Sequence, residues 1–358
     1  GIPAVCGKRE RMKITCTPFG VTAAGQMIDR YTLTDGACSA SILTLGGILQ
    51  SLIVPDRDGK PTDIVLGFDS VAAYEAQDCY IGALLGRCAN RLADGRIKIN
   101  DKSYTLACND NGVNHLHGGM VGFDRRVWQA AVLPDGLQLR YLSPDGEEGY
   151  PGTMRVTAIY RLEAGKLTLE FFAESDQDTV CNLSSHSYFN LSGHASGSVG
   201  DQTVQVCAER YTPLGKTNAP IGEVALVENT PFDLRTAKRL DAGWDSDFEQ
   251  IVQADGYDHN YIPDGTGMRT FAQARSPKTG ITLTVASDMP GVQLYTGNFL
   301  NDRLPTGKDG AAYDRRHAFC LETQFWPNAF ACPIFPQPVL RVGQTYHHTT
   351  TYQYSVDR

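Results

Sequence analysis

Two short segments, far apart in the chain, each place one titratable side chain among aromatic and small polar residues. His186 lies in residues 182–191 (NLSSHSYFNL), and Glu322 lies in residues 319–328 (FCLETQFWPN). An imidazole and a carboxylate can exchange protons with a bound substrate without becoming covalently attached to it. The two segments therefore predict general acid–base chemistry, with no nucleophile required.

Each of these side chains also has a plainer interpretation when it is considered alone. An isolated histidine is usually a hydrogen-bonded structural residue, and an isolated glutamate is usually solvated at the surface. Glu322, however, follows the apolar residues Phe319 and Leu321 and precedes Trp326. Partial burial would raise the pKa of Glu322 towards working pH, while neighbouring cations would oppose that shift.

The two segments, together with residues 86–91 (GRCANR) and 116–119 (LHGG), closely resemble the aldose 1-epimerase family, also called galactose mutarotases. The resemblance runs roughly from Met12 to the C-terminus. It implies an enzyme that interconverts the α and β anomers of free hexoses such as galactose and glucose. In that reaction a base removes the proton of the C1 hydroxyl while an acid protonates the ring oxygen, so no cofactor is expected.

The matching motifs imply a role for each candidate residue. The LETQ core implies that Glu322 is the general base, and the HSYFNL core implies that His186 is the general acid. The resemblance also implies five substrate-binding residues: Asn90, Arg91, His117, Asp258 and Gln293. The departures from the family pattern, Ser184-Ser185 where Thr is common and Asn328 where Asp is common, do not touch the proton transfers.

A metal site is the alternative for the histidine pair in residues 114–119 (NHLHGG). On a strand, His115 and His117 would share one face, but a third ligand is not evident nearby. We therefore predict that the protein binds no metal.

Two other functions remain open. A related hexose-6-phosphate 1-epimerase would need a compact cationic site, for which Arg87, Arg125 and Arg126 are insufficient. A non-catalytic sugar-binding or sensor protein is possible because a fold alone does not specify activity, although the presence of both His186 and Glu322 argues against it. For the epimerase we expect both side chains to face one cleft, about the width of a sugar ring apart.

The composition excludes several classes of partner. The chain has 358 residues, of which 42% are hydrophobic and 20% charged, as in ordinary globular proteins, and its formal net charge is −8. That charge disfavours binding to nucleic acid or to anionic membranes. The most apolar stretch, from Ile42 to Val54, is too short and too interrupted to span a bilayer. The expected partner is a small aldose, bound by a monomer or homodimer.

Ten cysteines are scattered along the chain without a Cys-x-x-Cys pair, which favours reduced thiols and the cytoplasm. A periplasmic location is the alternative if a signal peptide was removed. Residues 1–11 are interpreted as an N-terminal extension, a cloning remnant or a stub retained after cleavage. Residues 12–358 are predicted to form a single aldose 1-epimerase domain.

Alternation of apolar and polar residues with a period of two predicts half-buried strands. It occurs at residues 137–141, 154–162, 167–171 and 281–285, and turn sequences such as 134–136 (PDG) and 163–165 (EAG) lie between such runs. Helical patterns are scarce, the best being residues 70–76, with Ser70 as N-cap, and part of 236–254. We predict a mostly β protein, and the resemblance implies a large antiparallel β-sandwich of the galactose mutarotase type.

Overall fold

The computed structural model describes residues 11–357. The predicted N-terminal extension, residues 1–11, therefore lies outside the described residues apart from Arg11, and so does Cys6. Within the described residues the chain forms 27 strands, labelled β1 to β27 in chain order: Lys13–Val21, Met27–Asp35, Cys38–Leu43, Leu49–Pro55, Pro61–Asp63, Leu84–Leu85, Arg91–Ala93, Arg96–Ile99, Lys102–Thr105, Asn114–Leu116, Gln129–Leu133, Gly136–Ser143, Met154–Glu163, Lys166–Ser175, Thr179–Val180, Ser184–Ser185, Thr203–Val206, Arg210–Thr212, Ala225–Leu226, Lys238–Arg239, Asp258–Ile262, Arg269–Arg275, Ile281–Ser287, Gly291–Tyr295, Cys320–Gln324, Val339–Leu340 and Tyr346–Val356.

Helices are few and short. In the described part of the chain the α-helices are Val71–Ala76 (α1) and Glu249–Ala254 (α2), and the 3₁₀ turns are Phe123–Arg125, Glu147–Gly149, Leu240–Ala242, Lys308–Gly310 and Ala329–Ala331. Ser70 is the N-cap of α1, as predicted, because its side chain accepts a hydrogen bond from the Ala73 N–H. Among residues 11–357, no helix has the length and apolar character needed to cross a membrane.

Three large sheets dominate the fold. The first has the order β1-β2-β3-β4-β5, the second β11-β12-β13-β14-β27-β23-β22-β17-β20, and the third β19-β18-β21-β24-β25. Neighbouring strands pair antiparallel, for example β13 with β14 and β24 with β25. The prediction of a mostly β, antiparallel protein is confirmed.

The alternating sequence pattern explains the central hairpin of the nine-stranded sheet. In β13, Val156, Ala158 and Tyr160 are buried, while Arg155 is exposed. The turn to β14 contains Ala164 and Gly165 with φ values of 50° and 73°, a left-handed conformation that the glycine accepts without strain. The four strands predicted from alternation are all present, as β12, β13, β14 and β23.

A contiguous apolar core joins the three large sheets. It contains Leu33 and Leu52 of the first sheet, Leu169 of the nine-stranded sheet, and Val292 and Leu321 of the third sheet. Burial of the apolar faces provides the main driving force for this packing. The opposite face of the third sheet carries polar side chains, and the candidate site is built there.

Candidate active site

Three neighbouring strands of the third sheet carry polar side chains on one face. In the antiparallel register Gln293 of β24 stands between Asn260 of β21 and Glu322 of β25. Because side chains alternate between the faces of a strand, Asp258 and Gln324 project from the same face, two residues from Asn260 and Glu322. All five residues are at most partly exposed, so this polar row is held inside the protein.

Hydrogen bonds link the row. Gln324 Nε2 donates to Asn260 Oδ1 at 3.1 Å and to Gln293 Oε1 at 2.9 Å. Gln293 Nε2 in turn donates to Asp258 Oδ1 at 2.9 Å. Both polar atoms of the Gln293 amide are therefore engaged in the free protein, and this side chain orients Asp258. Asn260 and Gln324 were not identified from the sequence, since only the strand register shows that they join this row.

His186 is fixed by its main chain and by an aromatic neighbour. It follows β16, its N–H donates to the Ala83 carbonyl at 2.8 Å, and its carbonyl accepts from the Gly82 N–H at 2.9 Å. The imidazole stacks on the Tyr188 ring, with the ring centroids 4.8 Å apart and the planes at 16°. The ring therefore has little freedom to turn away from the third sheet.

His186 and Glu322 lie side by side, with His186 in the wall of a cavity and Glu322 behind that wall. His186 Nε2 lies 3.4 Å from Glu322 Oε1, and both side chains are buried. The predicted separation of about a sugar ring is wrong, because the two side chains are closer than that. The shorter distance has a chemical reason: the C1 hydroxyl and the ring oxygen of an aldose are attached to the same carbon, so an acid and a base that serve both must converge.

The second histidine has a defined protonation pattern. His117 has a positive φ of 49°, and its Nδ1 accepts a hydrogen bond from the Asn90 N–H at 2.9 Å. A neutral imidazole that accepts at Nδ1 must carry its proton on Nε2. His117 therefore carries its N–H donor at Nε2, and its ring centroid lies 5.2 Å from that of His186.

The Nε2–H tautomer of His117 argues against a metal ion at this site. Ligand atoms of His117, His186 and Glu322 lie within 4.8 Å of one another, close enough to be considered for a metal ion. Binding through His117 Nε2 would require the proton to move to Nδ1, where it would face the Asn90 N–H. The donor set therefore does not fit a metal ion. His115 is no partner either, since its ring nitrogens contact the Ala107 carbonyl and the Tyr150 hydroxyl.

The cavity has a volume of about 590 Å³ and opens to solvent. Five of the seven predicted site residues form part of its wall, namely Asn90, Arg91, His117, His186 and Asp258. Glu322 and Gln293 lie behind them, with only 3% and 2% of their surfaces exposed. The structure thus brings the seven residues together, with five at the wall and two beneath it.

Arg91 is held by an acidic residue that the sequence did not single out. Its Nε donates to Asp110 Oδ2 at 2.7 Å, and both side chains are mostly buried. Asp110 also lines the cavity, together with Asp78, Tyr80 and Lys216, which were likewise missed. Their segments match no motif, and only the folding of separate loops around one opening brings them to the site.

Burial shifts the pKa of both members of the acid–base pair. Desolvation raises the pKa of the Glu322 carboxyl well above its ordinary value, and the negative Asp258 adds to this shift while Arg91 opposes it. Desolvation also lowers the pKa of His186 to about 3, against a smaller opposing effect of its own backbone carbonyl. Burial therefore disfavours the charged form of each group, the carboxylate of Glu322 and the imidazolium of His186.

The chain is similar to known proteins over most of its length. The sequence model of the aldose 1-epimerase family matches residues 29–353. Galactose mutarotase of Homo sapiens is 41% identical over 345 residues, covering 96% of this chain and 99% of the human protein. Aldose 1-epimerase of Escherichia coli is 33% identical over 337 residues, covering 92% of this chain and 96% of the bacterial protein.

Solved structures show the same fold. A galactose 1-epimerase from Lactobacillus acidophilus superposes with a TM-score of 0.85 at 26% identity, covering 97% of this chain and 100% of that one. An aldose epimerase homologue from C. elegans gives a TM-score of 0.83 at 28% identity, covering 90% and 97% of the two chains. The chain therefore belongs to the aldose 1-epimerase family and is an enzyme of the isomerase class.

Proposed function

We propose that this aldose 1-epimerase interconverts the α and β anomers of free hexoses such as galactose and glucose, with Glu322 as general base and His186 as general acid. The observation that carries the assignment is the 3.4 Å separation of Glu322 Oε1 from Nε2 of His186, a residue in the wall of the cavity. At that separation both groups reach the two oxygens on the anomeric carbon of a single bound sugar.

Ring opening begins with the proton on His186 and with Glu322 ionised. Glu322 removes the proton of the C1 hydroxyl, the C1–O5 bond breaks, and its electron pair leaves on O5, which takes the proton of His186. The product is an open-chain aldehyde with a hydroxyl at C5. Rotation about C1–C2 presents the other face of the aldehyde, and the reverse transfers then close the ring as the opposite anomer.

The proton count of the pair stays constant throughout this cycle. After ring opening the proton is on Glu322 and His186 is neutral, which is the arrangement that burial favours in the free cavity. The two arrangements differ by one proton displaced across a 3.4 Å gap. Neither group has to exchange a proton with bulk water during turnover, which suits a buried site.

Neighbouring side chains supply the contacts that position the sugar. In this proposal the Nε2–H of His117 donates to a substrate oxygen near His186, since its Nδ1 is occupied by the Asn90 N–H. Arg91 donates to sugar hydroxyls from a side chain fixed by Asp110, and Asp258 accepts from them. Asn90 lines the same wall, and Gln293 acts through its hydrogen bond to Asp258.

A phosphorylated sugar fits this cavity less well. Its wall includes Asp78, Asp110 and Asp258 but only two cationic residues, Arg91 and Lys216, and Arg91 is engaged by Asp110. The three arginines considered for a phosphate site make contacts elsewhere. Arg87 donates to the main-chain carbonyls of Pro151 and Gly152, among others. Arg125 donates to the main-chain carbonyls of Glu75 and Gln77, and Arg126 lies near Glu147.

A reducing compartment, the cytoplasm, is part of the proposal. Of the cysteines among residues 11–357, nine are free thiols, including the buried Cys38, Cys88 and Cys320. Free thiols are typical of proteins kept under reducing conditions. Fractionation of the source cells tests this, and recovery of the protein with a periplasmic marker would contradict it.

Polarimetry tests the proposed activity. Freshly dissolved α-D-galactose and α-D-glucose approach anomeric equilibrium slowly in buffer, and the wild-type enzyme is expected to accelerate both. Glu322→Gln should be inactive, whereas Glu174→Gln, at an exposed position of β14, should behave as wild type. Failure of the wild-type enzyme to accelerate either sugar would overturn the proposal.

A further inference from the structure

One side chain that touches His186 has no role in the scheme above. Cys320 Sγ lies 3.5 Å from His186 Nδ1, within hydrogen-bonding range for sulfur, and Cys320 is fully buried. Cys320 precedes Glu322 by two residues on β25, so both side chains project from the same face of the strand. A single strand therefore carries the base and a group in contact with the acid.

We propose that Cys320 is a positioning residue whose Sγ accepts a hydrogen bond from the Nδ1–H of His186, so that Nε2, which faces Glu322, is the nitrogen that gains and loses the proton. This inference rests on the proposed function. A neutral imidazole has one donor and one acceptor nitrogen, so an acceptor at Nδ1 selects the Nδ1–H tautomer and leaves Nε2 without a proton. That tautomer is the one left when protonated His186 delivers its Nε2 proton to O5, and its bare Nε2 can take the proton back when the ring closes.

The surroundings keep Cys320 in the state that this role requires. Burial, reinforced by the nearby Glu322 carboxyl, raises the pKa of the thiol well above its ordinary value, so the sulfur retains its proton. A thiolate at this position would instead stabilise the protonated, cationic imidazole and would oppose release of its proton to O5. The stacked Tyr188 ring fixes the plane of the imidazole, and the thiol fixes the orientation of its edge within that plane.

The sulfur contact also explains why the two proton-transfer groups stay aligned without a direct hydrogen bond. Glu322 Oε1 is buried and has no hydrogen-bond partner among the described residues. It therefore does not orient the imidazole. The main-chain bonds of His186, the Tyr188 ring and Cys320 do so, which leaves Oε1 without a hydrogen bond beside His186 Nε2.

The test combines kinetics with a spectroscopic measurement of the tautomer. Cys320→Ala removes the acceptor and is expected to lower kcat about three- to tenfold with KM unchanged, the effect of losing one weak hydrogen bond. Cys320→Ser retains an acceptor and should restore kcat to within about twofold of wild type. Cys38→Ala, at a buried cysteine of β3 in the main core, is the matched control and should leave both parameters unchanged.

The ¹⁵N spectrum of the His186 ring, assigned by its loss in His186→Asn, reports the tautomer directly in the free enzyme. We expect a proton on Nδ1 in the wild type and in Cys320→Ser, and a mixture of tautomers in Cys320→Ala. A wild-type neutral ring protonated on Nε2, or a Cys320→Ala enzyme with unchanged kcat and tautomer, would overturn the inference while leaving the activity intact. Absence of mutarotation by the wild type would instead remove the proposed function.

Discussion

Glu322 of β25 stands directly opposite Gln293 of β24 in the antiparallel register. Gln293 in turn holds Asp258 in place, because its amide nitrogen donates a hydrogen bond to Asp258 Oδ1 on the next strand at 2.9 Å. The proposed base and the proposed hydroxyl acceptor thus belong to one rigid sheet face. Their separate roles, proton transfer for Glu322 and substrate binding for Asp258, can be distinguished by kinetic measurements on single variants.

Loss of the acid should abolish most of the catalysis without unfolding the protein. We expect His186→Asn to lower kcat for α-D-galactose by about a hundredfold or more, which is the typical contribution of general acid catalysis. Polarimetry measures the rate, and circular dichroism verifies the fold. His347→Asn, at an exposed histidine of β27 that contacts Glu170, is the control. A folded His186→Asn enzyme with near-normal turnover would refute the assignment.

Glu322→Gln should be more stable than wild type at neutral and alkaline pH. Because burial raises the pKa of Glu322 in the folded state, the proton on this carboxyl stabilises the fold fully below the unfolded pKa of about 4.3. That stabilisation is lost as the pH rises from this value towards the folded pKa. Thermal melts of both proteins should therefore diverge with increasing pH. Equal melting temperatures across this range would contradict the prediction.

The profile of kcat/KM against pH should show no loss of activity centred on the ordinary histidine pKa of about 6.5. The proposed pair is active while it holds one proton, and burial lowers the pKa of His186 to about 3, so a second proton binds only in strong acid. Activity should fall on the alkaline side, where Glu322 loses the shared proton above its raised pKa. Initial rates between about pH 5 and 10 measure this profile, and an acid limb centred near 6.5 would be inconsistent with it.

Asp258→Asn should weaken substrate binding more than it slows proton transfer. Loss of a charged acceptor for sugar hydroxyls is expected to raise KM by about ten- to a hundredfold, the value of hydrogen bonds to charged groups. The variant should remain folded, because desolvation already raises the pKa of this buried carboxyl and removal of its charge relieves that penalty. Asp302→Asn, at an exposed position, is the control. An unchanged KM would show that Asp258 does not contact substrate.

Glucose 6-phosphate should be a poorer substrate than glucose. The acidic residues of the cavity wall and the pairing of Arg91 with Asp110 leave few free cations for a phosphate dianion. We expect kcat/KM to be at least about tenfold lower for the phosphorylated sugar, which corresponds to one unfavourable charged contact. Coupled assays on freshly released α-glucose 6-phosphate measure this ratio. Equal or higher activity on the phosphate would favour the hexose-6-phosphate alternative.

Local patterns predicted much of the architecture. Alternation along residues 154–162 and the turn at 163–165 were enough to predict the β13–β14 hairpin, because a half-buried strand and a left-handed turn each depend on nearby residues. Likewise, the motifs around His186 and Glu322 marked the acid–base pair, since each motif is contiguous in the chain. The grouping of strands into three large sheets did not follow from these patterns, because pairing between distant strands leaves no local signal.

The composition of the site beyond its motifs was decided by the tertiary structure. Asn260 and Gln324 join the polar row through strand register, Asp110 reaches Arg91 from another loop, and Cys320 meets His186 from a strand 134 positions away. The sequence alone identified the residue types able to transfer protons. Their 3.4 Å approach, the His117 tautomer and the opposite pKa shifts of His186 and Glu322 arise only when folding removes these groups from water and places them together.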